Sequence, residues 1–364
     1  MNLFKDKRIT VIGYIENDLC LNIIENVYSF DQVKCFDYDM IIIGYGNQEY
    51  DEMCLQKADK VRLKDYFYIQ EVYKLMGKKK LCLMVGTCIL LGIERYLLKS
   101  KKFSKNYEII YSDIDLVEEY DLNFVYPDML LENVDLFLYT RDSSAYRMSN
   151  EAIINKLNEA CLKLSVSGCI FSGYFPQSFL GKDKINPYGF EDYVNKIFIC
   201  EIMDKNINER IEKGYSLKTI VSELCNDNYY SHEYISNWIE KSFHFLRISE
   251  ILTDINIYHF LKENYLNEKL YKSSEHPGNK IIKNLCLQIL EKIDCVDIFF
   301  LNCDVAEKNT GLPLYPAVRN YLKLEKSCEN IILYDRSTNE YINRNFEEYI
   351  REYYKLYIEK RDKK

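Results

Sequence analysis

Short apolar runs alternate with stretches of helical spacing along the first part of the chain. Residues 8–13 (Arg-Ile-Thr-Val-Ile-Gly) and 39–44 (Asp-Met-Ile-Ile-Ile-Gly) have strand length and end in glycine. Between them, in residues 15–29, Leu19, Ile23, Ile24 and Val27 fall on one helical stripe. A helix is expected near 64–76 and a buried strand over 81–85. That apolar run stops at Gly86, Cys88 follows two residues later, and a helical pattern begins at once. The junction reads as strand, tight turn and helix start. Strands alternating with helices predict parallel pairing through right-handed crossovers. In such sheets the carboxyl ends of the strands open onto the ligand crevice.

Further along, residues 107–111 and 134–139 are strand candidates, and 151–164 are amphipathic and expected to be helical. Residues 167–173 are another apolar run ending in a turn, and Pro187-Tyr188-Gly189 marks a loop. Long helices are expected over about 232–254 and 279–293, and a charged, tyrosine-rich helix over 345–364. The predicted fold class is α/β. A parallel-sheet Rossmann-like core with helices on both faces is preceded by a small N-terminal Rossmann-like unit. The expected division is 1–80, 81–344 and the C-terminal helix 345–364.

Composition narrows the partners. The 364 residues are 48% hydrophobic and 29% charged, which fits a folded chain of one large or two modest domains. The net charge is -8 and no long basic block precedes the C-terminal tail, so nucleic acid is not expected as a partner. Residues 1–8 are too polar for a signal peptide, and no stretch reaches the roughly 20 apolar residues of a membrane span. The 13 cysteines include no Cys-x-x-Cys pair, so free thiols in a reducing cytoplasm are expected, with no metal site. No Gly-x-Gly-x-x-Gly follows Gly13, and Glu16 and Asp18 would repel a pyrophosphate. The N-terminal unit is therefore expected to serve a structural or docking role.

Five stretches could carry chemistry: the Cys88 turn, 171–177, 242–250 with Asp254, 274–279 and 311–318. Cys88 at a strand-to-helix turn is either a small buried hydrophobe or a thiol at the positive end of a helix, which favours negative charge. His276 precedes Pro277, which keeps it extended just ahead of a helix. It either packs at that helix start or serves as a general base for a nearby thiol or hydroxyl. Arg247, Glu250 and Asp254 are spaced by three and four, which on a helix forms one face. That face is either a solvated ion pair or the lining of a pocket.

Taken in order, these residues resemble the WcbI-like polysaccharide biosynthesis family of capsule and surface-glycan loci. Gly86-Thr87-Cys88-Ile89 resembles the family's opening Gly-Asn-Cys-Gln turn, with Thr87 and Ile89 where the family has amides. Gly173-Tyr174-Phe175-Pro176 matches its Gly-Tyr-x-Pro turn, and Ser242, Leu246 and Glu250, followed by Asp254, match its Ser-x-x-x-Leu-x-x-x-Glu helix. His276-Pro277 and Pro313-Leu314-Tyr315-Pro316 match the remaining two motifs. The resemblance covers about residues 81–325 and leaves the N-terminal unit uncovered.

What the resemblance implies is a bacterial cytoplasmic enzyme that binds coenzyme A and transfers an acyl group, acetyl above all, to a sugar hydroxyl. On that reading Cys88 is the nucleophile or neighbours the oxyanion site, His276 is the general base, and Glu250 or Asp254 orients the base or a sugar hydroxyl. Arg247 and Lys280, with Gly86 and Thr87, would hold the cofactor, since guanidinium and ammonium groups suit phosphates. Gly173, Tyr174 and Tyr315 would meet the sugar. Association with other glycan-biosynthesis enzymes is also expected. A glycan acyl-ester hydrolase and a non-catalytic glycan- or cofactor-binding protein are the alternatives.

Overall fold

Two pairs of short parallel strands open the chain in the computed structural model: β1 (Tyr14–Ile15) beside β2 (Val27–Tyr28), and β3 (Ile41–Ile43) beside β4 (Tyr66–Tyr68). Besides these strands, the structure describes residues 79–113, 126, 128–140, 150–178, 204–303, 311–335 and 340–362. The run 8–13, most of the stretch 15–29 and the Pro187-Tyr188-Gly189 loop lie outside the described residues. The strand expected in 39–44 is β3. The stretch expected to be helical near 64–76 instead contains β4, because the aromatic run Tyr66-Phe67-Tyr68 suits a pleated surface and pairs with Ile41–Ile43.

The described structure is an α/β fold on a four-stranded parallel sheet with the order β6-β5-β7-β8. Its strands are β5 (Lys80–Gly86), β6 (Tyr107–Asp113), β7 (Val134–Thr140) and β8 (Leu162–Val166). The chain divides into two compact units. The first takes Met1–Gly86, Lys105–Tyr139 and Ser143–Lys163; the second takes Thr87–Ser104, Thr140–Asp142 and Leu164–Lys364.

In the first unit every residue of β5 after Lys80 is buried. Alternate residues Leu81, Leu83 and Val85 pack into one core with Ile110, Val134, Phe137 and Leu130. Burying an aliphatic side chain of this size is worth about 1.5–3 kcal/mol. The register between β5 and β7 shifts at Leu81, where the Asp135 carboxylate accepts the Leu81 N–H at 2.7 Å. The helix expected over 151–164 ends early. Only Asn150–Ile154 is helical, and Leu162 already begins β8. The apolar spacing of Ile153, Leu157 and Cys161 serves the core without a continuous helix.

In the second unit, two helices fix the geometry that matters. They are Cys88–Leu97 and Asn279–Lys292. A methyl group added at Gly92 would meet Ile282 at 3.5 Å, Cys286 Sγ lies 3.5 Å from the Ile93 carbonyl, and Ser100 Oγ donates to the Cys295 carbonyl at 2.9 Å. The contacts advance together along both chains, so the helices run parallel and bring their N-termini to the same end. The run 167–173 is a loop. Cys169 takes a left-handed φ of 55° there, and the Phe171 N–H donates to the distant Ser274 carbonyl rather than to a strand ladder.

The helix His232–Ser249 begins where Ser231 Oγ accepts the Tyr234 N–H, and it stops short of the expected 254. The C-terminal helix Phe346–Asp362 buries Tyr349, Tyr353 and Tyr357, one turn apart. Tyr353 OH donates to Asn208 Oδ1 at 2.6 Å, and Tyr357 OH donates to Glu212 at 2.7 Å.

Candidate active site

Thr87 is the N-cap of the first of those parallel helices, and its side chain makes no cap; Gly278, the N-cap of the second, has none to offer. The Leu90 N–H donates back to the Thr87 carbonyl at 3.0 Å, and each helix start carries the positive end of its dipole. Cys88 is the first residue of its helix and is exposed, which sets aside the buried-hydrophobe reading. Its Sγ lies 3.5 Å from His276 Nε2.

His276 is held from behind. Its Nδ1 is 3.0 Å from Ser273 Oγ. When Nδ1 carries the proton and Ser273 accepts it, Nε2 presents its lone pair to the thiol. The imidazole sits on a closed loop. The Lys272 N–H donates to the His276 carbonyl at 2.8 Å, and the Gly278 N–H to the Leu270 carbonyl at 2.7 Å. The Leu312 N–H donates to the Lys272 carbonyl at 2.7 Å. That last contact depends on Gly311, whose φ is +107° and where any Cβ would collide with the Lys272 backbone.

Apart from Gly86, which ends a segment of the first unit, the other expected residues fall elsewhere in the second unit. Glu250 is not on a helix face. It is the C-cap residue, buried, and its carboxylate accepts the N–H groups of Ile257 at 3.0 Å and Tyr258 at 2.9 Å. Burial pushes its carboxyl up, and those amides and the Ser167 hydroxyl partly offset the shift. Asp254 lies beyond the helix and accepts the Ser165 N–H at 2.8 Å and its hydroxyl at 2.7 Å. Arg247 is exposed in the last turn of the helix. The three residues therefore do not share the helical face that their spacing predicts, because the helix ends at Ser249. Lys280 pairs with Glu268, with Nζ 2.6 Å from Oε2.

The Gly173-Tyr174 turn is buried. The Tyr174 hydroxyl donates to the carbonyls of Tyr265 at 2.9 Å and Glu268 at 3.0 Å, and a Cβ at Gly173 would strike the Phe171 ring. Tyr315 is buried too, and its hydroxyl donates to the Asp204 carboxylate at 2.9 Å. Gly86 ends β5 and Thr87 follows it at the helix start. Sequence reasoning missed Ser273, although Ser-x-x-His spacing puts a hydroxyl within one turn of the imidazole. It also missed Gly311 as the anchor of the loop. Among the described residues no group of three or more His, Cys, Asp or Glu side chains is arranged to hold a metal ion, and no helix is long and apolar enough to cross a membrane.

Residues 81–297, more than half of the chain, match the family model described as polysaccharide biosynthesis enzyme WcbI. A solved structure of WcbI, described as a novel polysaccharide biosynthesis enzyme in its native form without a disulfide bond between coenzyme A and a cysteine, has the same fold. Its TM-score is 0.58 at 16% identity, covering 78% of this chain and 92% of that one. No curated protein matches the chain.

Proposed function

Since the chain belongs to the WcbI family of polysaccharide biosynthesis enzymes, we propose that it transfers an acyl group, acetyl above all, from coenzyme A to a sugar hydroxyl during capsule or surface-glycan assembly. One observation carries this reading: an exposed thiol at a helix start, 3.5 Å from an imidazole that a serine hydroxyl backs. That is the arrangement a nucleophile and its base require. The solved WcbI structure, native protein without a disulfide bond between coenzyme A and a cysteine, supports the donor.

The residues present fit such a donor. Two parallel helix starts offer amide donors to anionic oxygens. Coenzyme A, when bound, supplies the acyl group as a thioester. His276 Nε2 takes the thiol proton, and Cys88 attacks the acyl carbonyl as the thiolate. The opening amides of the Cys88 helix face the oxyanion that develops. His276 returns the thiol proton to the donor sulfur as the thioester breaks and the free coenzyme A thiol leaves. In the second half it takes the proton of the sugar hydroxyl, which attacks the acyl-cysteine, and gives it back to the departing Cys88 sulfur. Native mass spectrometry after mixing with acetyl-coenzyme A tests the scheme. One acetyl group on wild-type protein and none on Cys88→Ala is expected. Unchanged transfer by Cys88→Ala and by His276→Ala would overturn it.

A further inference from the structure

Tyr230, Tyr234 and Trp238 follow one another at four-residue intervals, the last two on the helix His232–Ser249. Their rings are nearly parallel. Tyr230 and Tyr234 lie 5.0 Å apart at 5°, and Tyr234 and Trp238 lie 6.4 Å apart at 11°. Parallel rings at that separation are displaced sideways and overlap only in part. Tyr234 is 40% exposed and Trp238 half-buried. Lys205 Nζ stands 5.1 Å from the Trp238 ring centre.

This surface is tied to the base. The Trp238 indole N–H donates to the Ser172 carbonyl at 2.7 Å, and the adjacent Phe171 N–H donates to the Ser274 carbonyl, two residues before His276. The indole plane is thereby fixed, and it is coupled to the loop that carries the imidazole.

We propose that Tyr234 and Trp238 form the acceptor subsite, a flat platform on which a pyranose ring of the sugar stacks, with Lys205 supplying donors to its hydroxyls; the identification of the ligand as the acceptor rests on the acyl-transfer reading above. One face of a pyranose is lined with C–H bonds of partial positive charge, which match the negative face of an aromatic ring. Its hydroxyls match an ammonium group with three donors. A flat adenine ring would also stack. The link through Ser172 and Phe171 favours the acceptor, because the acceptor hydroxyl is the group that must reach His276.

Trp238 is the only tryptophan in the chain, so its emission reports this surface alone. The full-length protein is titrated with methyl α-mannopyranoside, N-acetylglucosamine and cellobiose, with open-chain sorbitol and adenosine 3′,5′-bisphosphate as comparisons. A saturable emission change is expected with at least one pyranoside and none with sorbitol. Tyr234→Ala, checked for fold by circular dichroism, should weaken that affinity about fivefold or more, and Tyr234→Phe should keep it. The proposal is overturned if no pyranoside gives a saturable change up to about 0.1 M, a range that covers millimolar affinities. Equal affinity in Tyr234→Ala overturns it too, as does displacement of the sugar by the bisphosphate. Coenzyme A binding to the same samples, read by calorimetry, is scored separately. Its absence sinks the acyl-transfer reading and leaves the platform standing.

Discussion

Cys88 Sγ and His276 Nε2 lie 3.5 Å apart, although 188 positions separate them in the chain. Parallel packing of the two helices that follow them creates this proximity. The contact of Gly92 with Ile282 sets the helices side by side, and each carries its reactive residue at the same end.

If the thiol and imidazole act as one unit, removing either should cost most of the rate. Cys88→Ala and His276→Ala are each expected to lower kcat/KM for acyl transfer by about 100-fold to 10,000-fold. The double variant should lose little more than the worse single one, because residues acting together are not additive. Cys88 is exposed, so its loss should leave the melting temperature nearly unchanged. Steady-state rates of the three variants decide it, and additive losses would count against a shared role.

Ser273 should act through His276 rather than on substrate. Ser273→Ala removes the hydroxyl at 3.0 Å from Nδ1 and with it the bias toward the useful tautomer. The expected result is a kcat about tenfold lower with KM unchanged, the size of effect that a misoriented base produces. The acid limb of the pH–rate profile should also move. Ser273→Thr should recover most of the rate. A change confined to KM would place Ser273 against the substrate instead.

Much of this was legible in the residues themselves. The stop at Gly86 and the helical spacing after Cys88 correspond to β5 and the helix Cys88–Leu97, and His276-Pro277 does precede a helix. The partnership of Cys88 with His276 is a tertiary fact. It depends on how two helices pack, and periodicity within either one carries no record of that. The spacing of Arg247, Glu250 and Asp254 misled because it assumes a helix that continues. The chain turns at Glu250, whose carboxylate takes the amides of Ile257 and Tyr258. The apolar run 167–173 has strand composition, but the Phe171 amide is claimed by Ser274 across the fold.

Gly311 should matter more for stability than Gly214, though both have positive φ. At Gly214, φ is +74° and no atom stands within 4 Å of an added Cβ. Alanine there should cost only the left-handed backbone, about 1 kcal/mol. At Gly311 the same change adds a collision with the Lys272 backbone. A loss of about 3 kcal/mol is expected, together with reduced activity, since Lys272 anchors the His276 loop. Chemical denaturation of the two variants compares them directly. Equal losses would mean that the loop yields without strain.

Asp204 predicts how stability changes with pH. It is fully buried at the start of the helix Lys205–Glu212, where its carboxylate accepts the N–H groups of Asn206 and Ile207 and the Tyr315 hydroxyl. Burial raises its pKa from the ordinary 3.8 to about 7, against the pull of those hydrogen bonds and of Lys205. A carboxyl raised on folding holds its proton more tightly in the native state. Between the two values the native chain therefore binds more protons than the unfolded one, and stability falls as pH rises. The contribution is fully present below pH 3.8, and it is lost as pH climbs through about 7. Asp204→Asn keeps an oxygen for the two amides and for Tyr315 and carries no charge. The variant should therefore gain on the wild type as pH rises from 5 to 8, by about 1.4 kcal/mol for each pH unit within the window. Urea midpoints for both proteins across that range measure the difference. A constant gap would show that Asp204 folds with its charge in place.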